Sequence, residues 1–293
     1  MGTQQLYLVG SHASQAMSPT LWTRVFQRSG LDIRYDAWDV PEATGLAEVE
    51  RRLRAGEVSA VNITMPHKAW AFDIADQADD DATAAGVANL LIATNGRLRA
   101  MNTDMTAVRM ATEDRTFRRV LLLGAGGAGH AFAFALRGRI AVLDIADADA
   151  DAAVTLAREL DERVGVTGAV EWAARVDQLA DYDLVVNATP LGRSGKFDVL
   201  PWGTAELSQT TRVYDFVYSD TPNSVARYAA AHGTRLINGW AHLYLQAVGM
   251  LAPLSLPQPL AGLLRESVTE LGGAISTWDP DDCLLAPTHP AVM

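Results

Sequence analysis

The chain has 293 residues, 49% hydrophobic and 20% charged, which is ordinary for a soluble globular protein and enough for two modest domains. Its formal net charge of −11 argues against nucleic acid or an anionic membrane surface as a partner, so an anionic ligand must find local cations or hydrogen-bond donors. One cysteine, Cys283, excludes internal disulfides and cysteine metal clusters, and no metal site is expected; the absence of a membrane-length apolar run or a secretory signal leads to the expectation of a cytoplasmic protein.

Residues 5–10, Gln-Leu-Tyr-Leu-Val-Gly, read as a short buried strand closed by glycine. After a polar loop, Ser18 and Pro19 open a helix through Arg28, with serine as N-cap, proline in the first turn and Gly30 as the stop. A strand follows at 33–40, a helix at 41–54, a third strand at 60–64 that Pro66 interrupts, and a helix at 68–78. Asn95-Gly96, between strands at 89–94 and 97–101, is the strongest two-residue hairpin signal in the chain. These residues form an α/β unit of their own, and a connecting helix follows at 105–113.

Val120, Leu121, Leu122 and Leu123 then run into Gly124-Ala125-Gly126-Gly127-Ala128-Gly129 and on into an apolar helical stretch. Strand, glycine turn and helix in that order make a phosphate cradle. Gly124 permits the tight turn, Gly126 lets the backbone approach a pyrophosphate, and Gly129 lets the helix pack close to the strand. The helix N-terminus adds free N–H groups and a partial positive charge. A second strand at 139–143 ends on Asp144, where a dinucleotide fold wants a carboxylate for a ribose hydroxyl. A helix at 151–163, strands at 183–187 and 212–215, a helix at 223–232 and a strand at 235–237 continue the pattern.

Apolar helices at 239–251 and 260–271 come after this Rossmann unit is complete and are expected to return to the first domain. The fold class is therefore α/β. A first α/β domain occupies 1–104 with the returning helices 239–272, and a Rossmann dinucleotide-binding domain occupies 105–238. Residues 273–293 form a tail whose last fifteen residues are loosely held.

Asn62-x-Thr64-x-Pro66-x-Lys68 puts a lysine just past a strand, and Asn102-Thr103-Asp104 ends another. A lysine and an aspartate brought together at strand ends can share a proton: the carboxylate holds the ammonium, which donates to a carbonyl oxygen as hydride arrives at carbon. A surface ion pair worth about 0–1 kcal/mol explains the same spacing equally well. These two motifs, the glycine loop, Asn187-Ala-Thr189-Pro190 and the Tyr214-Asp215…Gly239…Gln246 segment resemble the shikimate dehydrogenase family in order and interval over roughly residues 5 to 270.

The resemblance implies NAD(P)-dependent, reversible oxidation of a ring hydroxyl in a cyclic polyhydroxy acid such as shikimate or quinate, with Lys68 and Asp104 as the catalytic pair. It implies that Thr64, Asn89 and Asp104 meet the substrate hydroxyls, that Ser18 meets its carboxylate, and that Tyr218 and Gln246 line its pocket. Residues 124–129, Thr189, Pro190 and Gly239 would border the cofactor. The expected partner is a small cyclic hydroxy acid, and the chain is expected as a monomer or homodimer.

Three departures bear on specificity. The family's His-Ser-x-Ser-Pro stands here as Gln15-Ala16-Met17-Ser18-Pro19, and losing one donor to a carboxylate costs roughly 1.5–3 kcal/mol unless His12, Ser14 or Gln15 replaces it. Trp240 and His242 replace smaller apolar groups in the C-terminal motif and would alter a pocket wall, although His242 reads more readily as a helix residue bonded to a neighbour. The loop after the second Rossmann strand, 144–151, carries four aspartates and no cation, so NAD is expected over NADP, with Asp144 on the ribose. The alternatives are a different cyclic polyol or amino-substituted substrate, or a non-catalytic NAD-binding sensor.

Overall fold

Residues 4–160, 166–177, 179–193 and 195–278 are described in the computed structural model, and they divide into two units. The first comprises 4–106 with Gln246–Val268, and the second Ala107–Leu245 with 269–278. The first unit is built from β1 (Gln4–Gly10), α1 (Ser18–Ser29), β2 (Ile33–Asp39), α2 (Leu46–Arg54), β3 (Ala60–Ile63), α3 (Lys68–Asp73), β4 (Gln77–Ala78), α4 (Asp80–Ala85), β5 (Leu90–Thr94) and β6 (Arg97–Met101). α5 (Thr103–Thr112) carries the chain onward.

The six strands form one mixed sheet in the order β2-β1-β3-β5-β6-β4. β2, β1 and β3 run parallel, β5 is antiparallel to both β3 and β6, and Asn95 and Gly96 both take positive φ, as the tight hairpin turn requires. Val9, Val61, Ile63, Leu91 and Leu98 from the strands pack against Val49 and Leu53 of α2, all essentially sealed from water. The α2 stretch Leu-Ala-Glu-Val-Glu-Arg-Arg-Leu-Arg puts its apolar residues at helical spacing, which supplies that face.

The second unit begins with β7 (Phe117–Leu123), followed by α6 (Gly127–Ala135), β8 (Ile140–Ala146), α7 (Ala150–Leu160), β9 (Val166–Ala169), β10 (Leu184–Asn187), β11 (Arg212–Asp215), α8 (Ser224–His232), β12 (Arg235–Ile237) and α9 (Gly239–Leu251). α10 (Leu260–Glu270) ends the helices. All strands are parallel in the order β12-β11-β10-β7-β8-β9, the doubly wound arrangement whose direction reverses between β7 and β10. The runs Val-Leu-Leu-Leu and Leu-Val-Val are apolar throughout because helices cover both faces of such a sheet.

Several expected boundaries move. The N-cap of α1 is Met17, with Ser18 inside the first turn. The helix expected at 41–54 starts at Leu46 after a 3₁₀ turn at Ala43–Gly45. α3 stops at Asp73 because the amides of Asp76 and Asp79 bond to Leu98 and Ala100, making β4. The return to the first unit begins at Gln246 and not at 239, since the first turns of α9 pack on 214–219.

Residues 274–278, at the start of the expected tail, are strapped to the second sheet. Ser276 donates to the Leu236 carbonyl at 2.8 Å, and the buried Trp278 indole donates to the Val213 carbonyl at 3.0 Å. The last fifteen residues and Cys283 lie outside the described residues. Among those described, no helix is long and apolar enough to cross a membrane, and no cluster of His, Cys, Asp or Glu could hold a metal ion.

Candidate active site

In the first unit, the carboxyl ends of parallel β1, β2 and β3 bring three loops together. The Val40 amide bonds to the Gly10 carbonyl, the Ser11 amide to the Met65 carbonyl, and the buried His67 ring to the Val40 carbonyl at 2.7 Å. This bracing delivers Lys68 to the head of α3, where its Nζ donates to Asp104 Oδ2 at 2.7 Å. The side chains are only 16% and 10% exposed, so each keeps just a small opening to solvent. A lysine at a helix start is unfavourable with the dipole, whereas Asp104 in the first turn of α5 is favourable; their pairing offsets the first.

Asn102 caps α5 by accepting from the Met105 amide, and it donates to the Val87 carbonyl, which fixes the position of Asp104. Thr103, not singled out in the sequence, is the hub behind the pair. Its amide donates to Asn89 Oδ1 at 2.7 Å, and its hydroxyl accepts from Asn89 Nδ2 at 3.0 Å and from Gln246 Nε2 at 3.1 Å. Asn89 is thus buried and engaged from within. Asn62 is likewise internal, accepting from Tyr35 Oη at 2.7 Å and donating to the Asn89 carbonyl. Thr64 sits half-buried beside Gly10, which has no room for a side chain against the threonine methyl.

The segment carrying Ala16 is also resolved into partners. Ser14 gives its amide and hydroxyl to the Asp39 carboxylate at the end of β2, and those bonds hold Asp39 below its ordinary pKa. His12 shares a hydrogen bond with Ser11. Ser18 is half-buried in the first turn of α1.

In the second unit, Gly124 follows β7 with φ 101°, and a Cβ there would lie 2.8 Å from the Ala188 carbonyl carbon. A Cβ on Gly129 would run into the Gly124 carbonyl oxygen, so this glycine lets α6 lie against the turn. Gly126, the N-cap of α6, faces open space. The loop therefore leaves room where a pyrophosphate would sit, beside a nine-residue helix whose first turn, from Gly127 and Ala128 onward, contains no acid. This is the crevice at the switch point of the sheet, where doubly wound folds hold nucleotides. The residues present fit a dinucleotide.

Asp144 requires correction. β8 runs on to Ala146, so Asp144 lies inside the strand and is buried, its Oδ2 accepting from Arg119 Nε at 2.9 Å and Tyr182 Oη at 2.8 Å. Burial, reinforced by that bond to Asp144, raises the Tyr182 pKa. The carboxylate at the strand end is Asp147, whose Oδ2 accepts from the Ala125 amide of the glycine loop at 2.7 Å. The run of alternating aspartates carries the signal, but apolar patterning ends the strand three residues early.

Asn187 at the end of β10 accepts from the amide and hydroxyl of Thr189, at 3.2 and 2.6 Å, and so shapes the loop through the exposed Pro190. Gly239, expected at the cofactor, serves close packing, because a Cβ there would strike the Val217 carbonyl. Tyr218 is half-buried with its ring 5.4 Å from that of Trp240, whose indole donates to the Ser219 carbonyl. His242 is buried and shares a 2.7 Å hydrogen bond with Tyr214 Oη, so it is a helix residue bonded to a neighbour.

Residues 8–91 match the family described as the shikimate dehydrogenase substrate binding domain. A shikimate dehydrogenase (NADP(+)) of Shouchella clausii is 30% identical over 244 residues, covering 81% of this chain and 87% of the relative. A crystal structure of a shikimate dehydrogenase in complex with NADP+ superposes with TM-score 0.79 at 26% identity, over 92% of this chain and 95% of that one. A quinate dehydrogenase from Corynebacterium glutamicum in complex with NAD shares the fold, with TM-score 0.77 at 24% identity over 92% and 100% of the two chains. An identity of this extent, together with a substrate-domain match that contains Lys68 and a doubly wound sheet closed by the expected glycine loop, makes the chain an α/β oxidoreductase belonging to the shikimate dehydrogenase family.

Proposed function

We propose that this protein reversibly oxidises a ring hydroxyl of shikimate, quinate or a close analogue, with a nicotinamide dinucleotide as the hydride carrier. The observation that carries the proposal is the 2.7 Å contact between the Lys68 ammonium and the Asp104 carboxylate. When bound, the dinucleotide accepts or supplies hydride at the reacting carbon. Lys68 then donates to the oxygen on that carbon when the ketone is reduced and relieves it of a proton when the alcohol is oxidised, with Asp104 aiming the ammonium. Thr64, Asn89 and Gln246 supply neutral donors and acceptors for the remaining hydroxyls, and Ser18 serves the acid end. The second unit holds the dinucleotide through the backbone of 124–129 and the loop at Thr189 and Pro190.

We infer a preference for NAD, although the relative above is named for NADP(+). Asp147 takes the role that spacing alone assigns to Asp144: at the end of β8 its carboxylate can accept from a ribose diol but would repel a 2′-phosphate. One observation favours a second reading. With Ala16 in place of a donor and Ser14 bonded to Asp39, the first unit is poor in groups for a carboxylate, as suits a cyclic polyol or ketone without one. A panel of cyclic hydroxy acids and carboxylate-free polyols, assayed for reduction of NAD and of NADP, tests both readings. Turnover of none of them, or full turnover by Lys68→Ala, would refute the assignment.

A further inference from the structure

Asp215, at the carboxyl end of β11, is 1% exposed and takes no part in the chemistry above. Its Oδ1 accepts from Asn187 Nδ2 at 2.8 Å and from the Val217 amide at 3.0 Å, and its Oδ2 accepts from Asn223 Nδ2 at 3.2 Å. Asn187 in turn accepts twice from Thr189 and donates to the Leu191 carbonyl at 2.8 Å. The Ala188 carbonyl and Thr189 amide are the atoms that press on Gly124, and the Val217 carbonyl is the one that presses on Gly239. One buried carboxylate therefore sets two backbone segments, one against Gly124 of the glycine loop and one against Gly239 at the head of α9.

We propose that Asp215 is a positioning residue for the cofactor: through Asn187 and the Val217 amide it holds the 188–191 and 216–218 segments in the shape that receives a dinucleotide. The proposal rests on the dinucleotide reading of the second unit. It is an arrangement of donors around an acceptor, so it requires the ionised carboxylate; a protonated Asp215 would point an O–H at groups that can only donate. Burial pushes its pKa up to about 7 against the lowering effect of its three donors. The titratable and charged groups on the elements packed around it include Tyr214 and His242, bonded to one another, Arg212 on β11 itself, Tyr218 beside Trp240, Tyr228 and His232 of α8, and Asp198, ion-paired with Arg227 at the head of α8. None of these is among the causes of the Asp215 shift.

The test uses the full-length chain, wild type and two variants, Asp215→Asn and Asn223→Ser. The serine keeps an oxygen to cap α8 in place of Asn223 Oδ1 and removes only the Nδ2 donor. Backbone amide resonances of Thr189, Leu191 and Val217 are followed by NMR without ligand, and NAD and NADP are titrated separately by calorimetry across the same pH range. In the wild type the three amides should move together with a midpoint near 7, and dinucleotide affinity should fall about tenfold from pH 8 to pH 6, tracking the ionised fraction. Both dependences should vanish in Asp215→Asn. In Asn223→Ser the midpoint should rise by about one pH unit, as expected for loss of one donor to the charged form. Amides that do not titrate together, or a binding profile unchanged by Asp215→Asn, would overturn the proposal. Co-titrating amides without binding of either dinucleotide at any pH would instead overturn the cofactor reading on which it stands.

Discussion

Lys68 Nζ lies 2.7 Å from Asp104 Oδ2, joining the head of α3 to the head of α5 across 36 residues of sequence. The contact is braced from behind, by Asn102 capping α5 and by the Ala88 amide bonding to the Lys68 carbonyl. Lys68→Met should lower kcat by about a thousandfold, within the range of a positioned proton donor. Dinucleotide affinity should change less than about twofold, because the glycine cradle belongs to the other unit. Steady-state rates and a binding titration on the same variant check both halves.

The two carboxylates near the end of β8 separate cleanly. Asp147→Ser should shift the ratio of kcat/KM for NAD over NADP toward NADP by about tenfold or more, the worth of one charge-assisted hydrogen bond. Asp144→Asn should leave that ratio unchanged. Kinetics with both cofactors decide it, and a ratio that follows Asp144 would return the ribose to that residue.

Asp144→Ala has its consequence in stability instead. It strands the Tyr182 hydroxyl and leaves the Arg119 guanidinium to its longer ion-pair contact with Asp181 at 3.7 Å, and the second unit should lose about 2–3 kcal/mol in chemical denaturation. Phenylalanine at Tyr182 should cost less, about 1 kcal/mol, since the carboxylate keeps Arg119.

The glycines of the loop should fail in different ways. Gly126→Ala meets open space, so the melting temperature should hold while the dinucleotide KM rises about tenfold. Gly129→Ala forces a methyl into the Gly124 carbonyl and should destabilise the unit by about 1–3 kcal/mol before any ligand is added. Thermal melts with and without dinucleotide distinguish them.

Asp215 predicts the sign of a pH effect. Its folded pKa of about 7 exceeds the unfolded value of 3.8, so between those values the folded chain keeps a proton that the unfolded chain has lost. Its contribution to stability is fully present below about pH 4 and declines as pH rises to 7, by an amount on the order of 4 kcal/mol. Unfolding free energies of wild type and Asp215→Asn, measured at intervals from pH 5 to 8, should therefore change in their difference up to about pH 7 and run level above it. Parallel curves throughout would remove the burial argument.

The elements with strong local signals are legible without coordinates. The Asn95-Gly96 turn, the strand into Gly124 and the Gly30 stop depend on φ preferences and apolar runs written into a few adjacent residues. Asp144 reads as the carboxylate at the strand end because the position of a strand end depends on its neighbour: β8 runs on to Ala146, which pairs with Leu123 of β7. Thr103 and Asp215 are similarly hidden as hubs, since a hydroxyl or carboxylate becomes one only when Gln246, or Asn187 and Asn223, arrive from distant sequence.

The strap at 274–278 and the Gln246–Thr103 bond bear on how the chain emerges from the ribosome. Thr103 waits for a glutamine made long after it, and the Val213 carbonyl waits for the Trp278 indole. Neither unit can therefore make all of its internal bonds from its leading segment alone; each gains one only after residue 246 or residue 278 has been delivered.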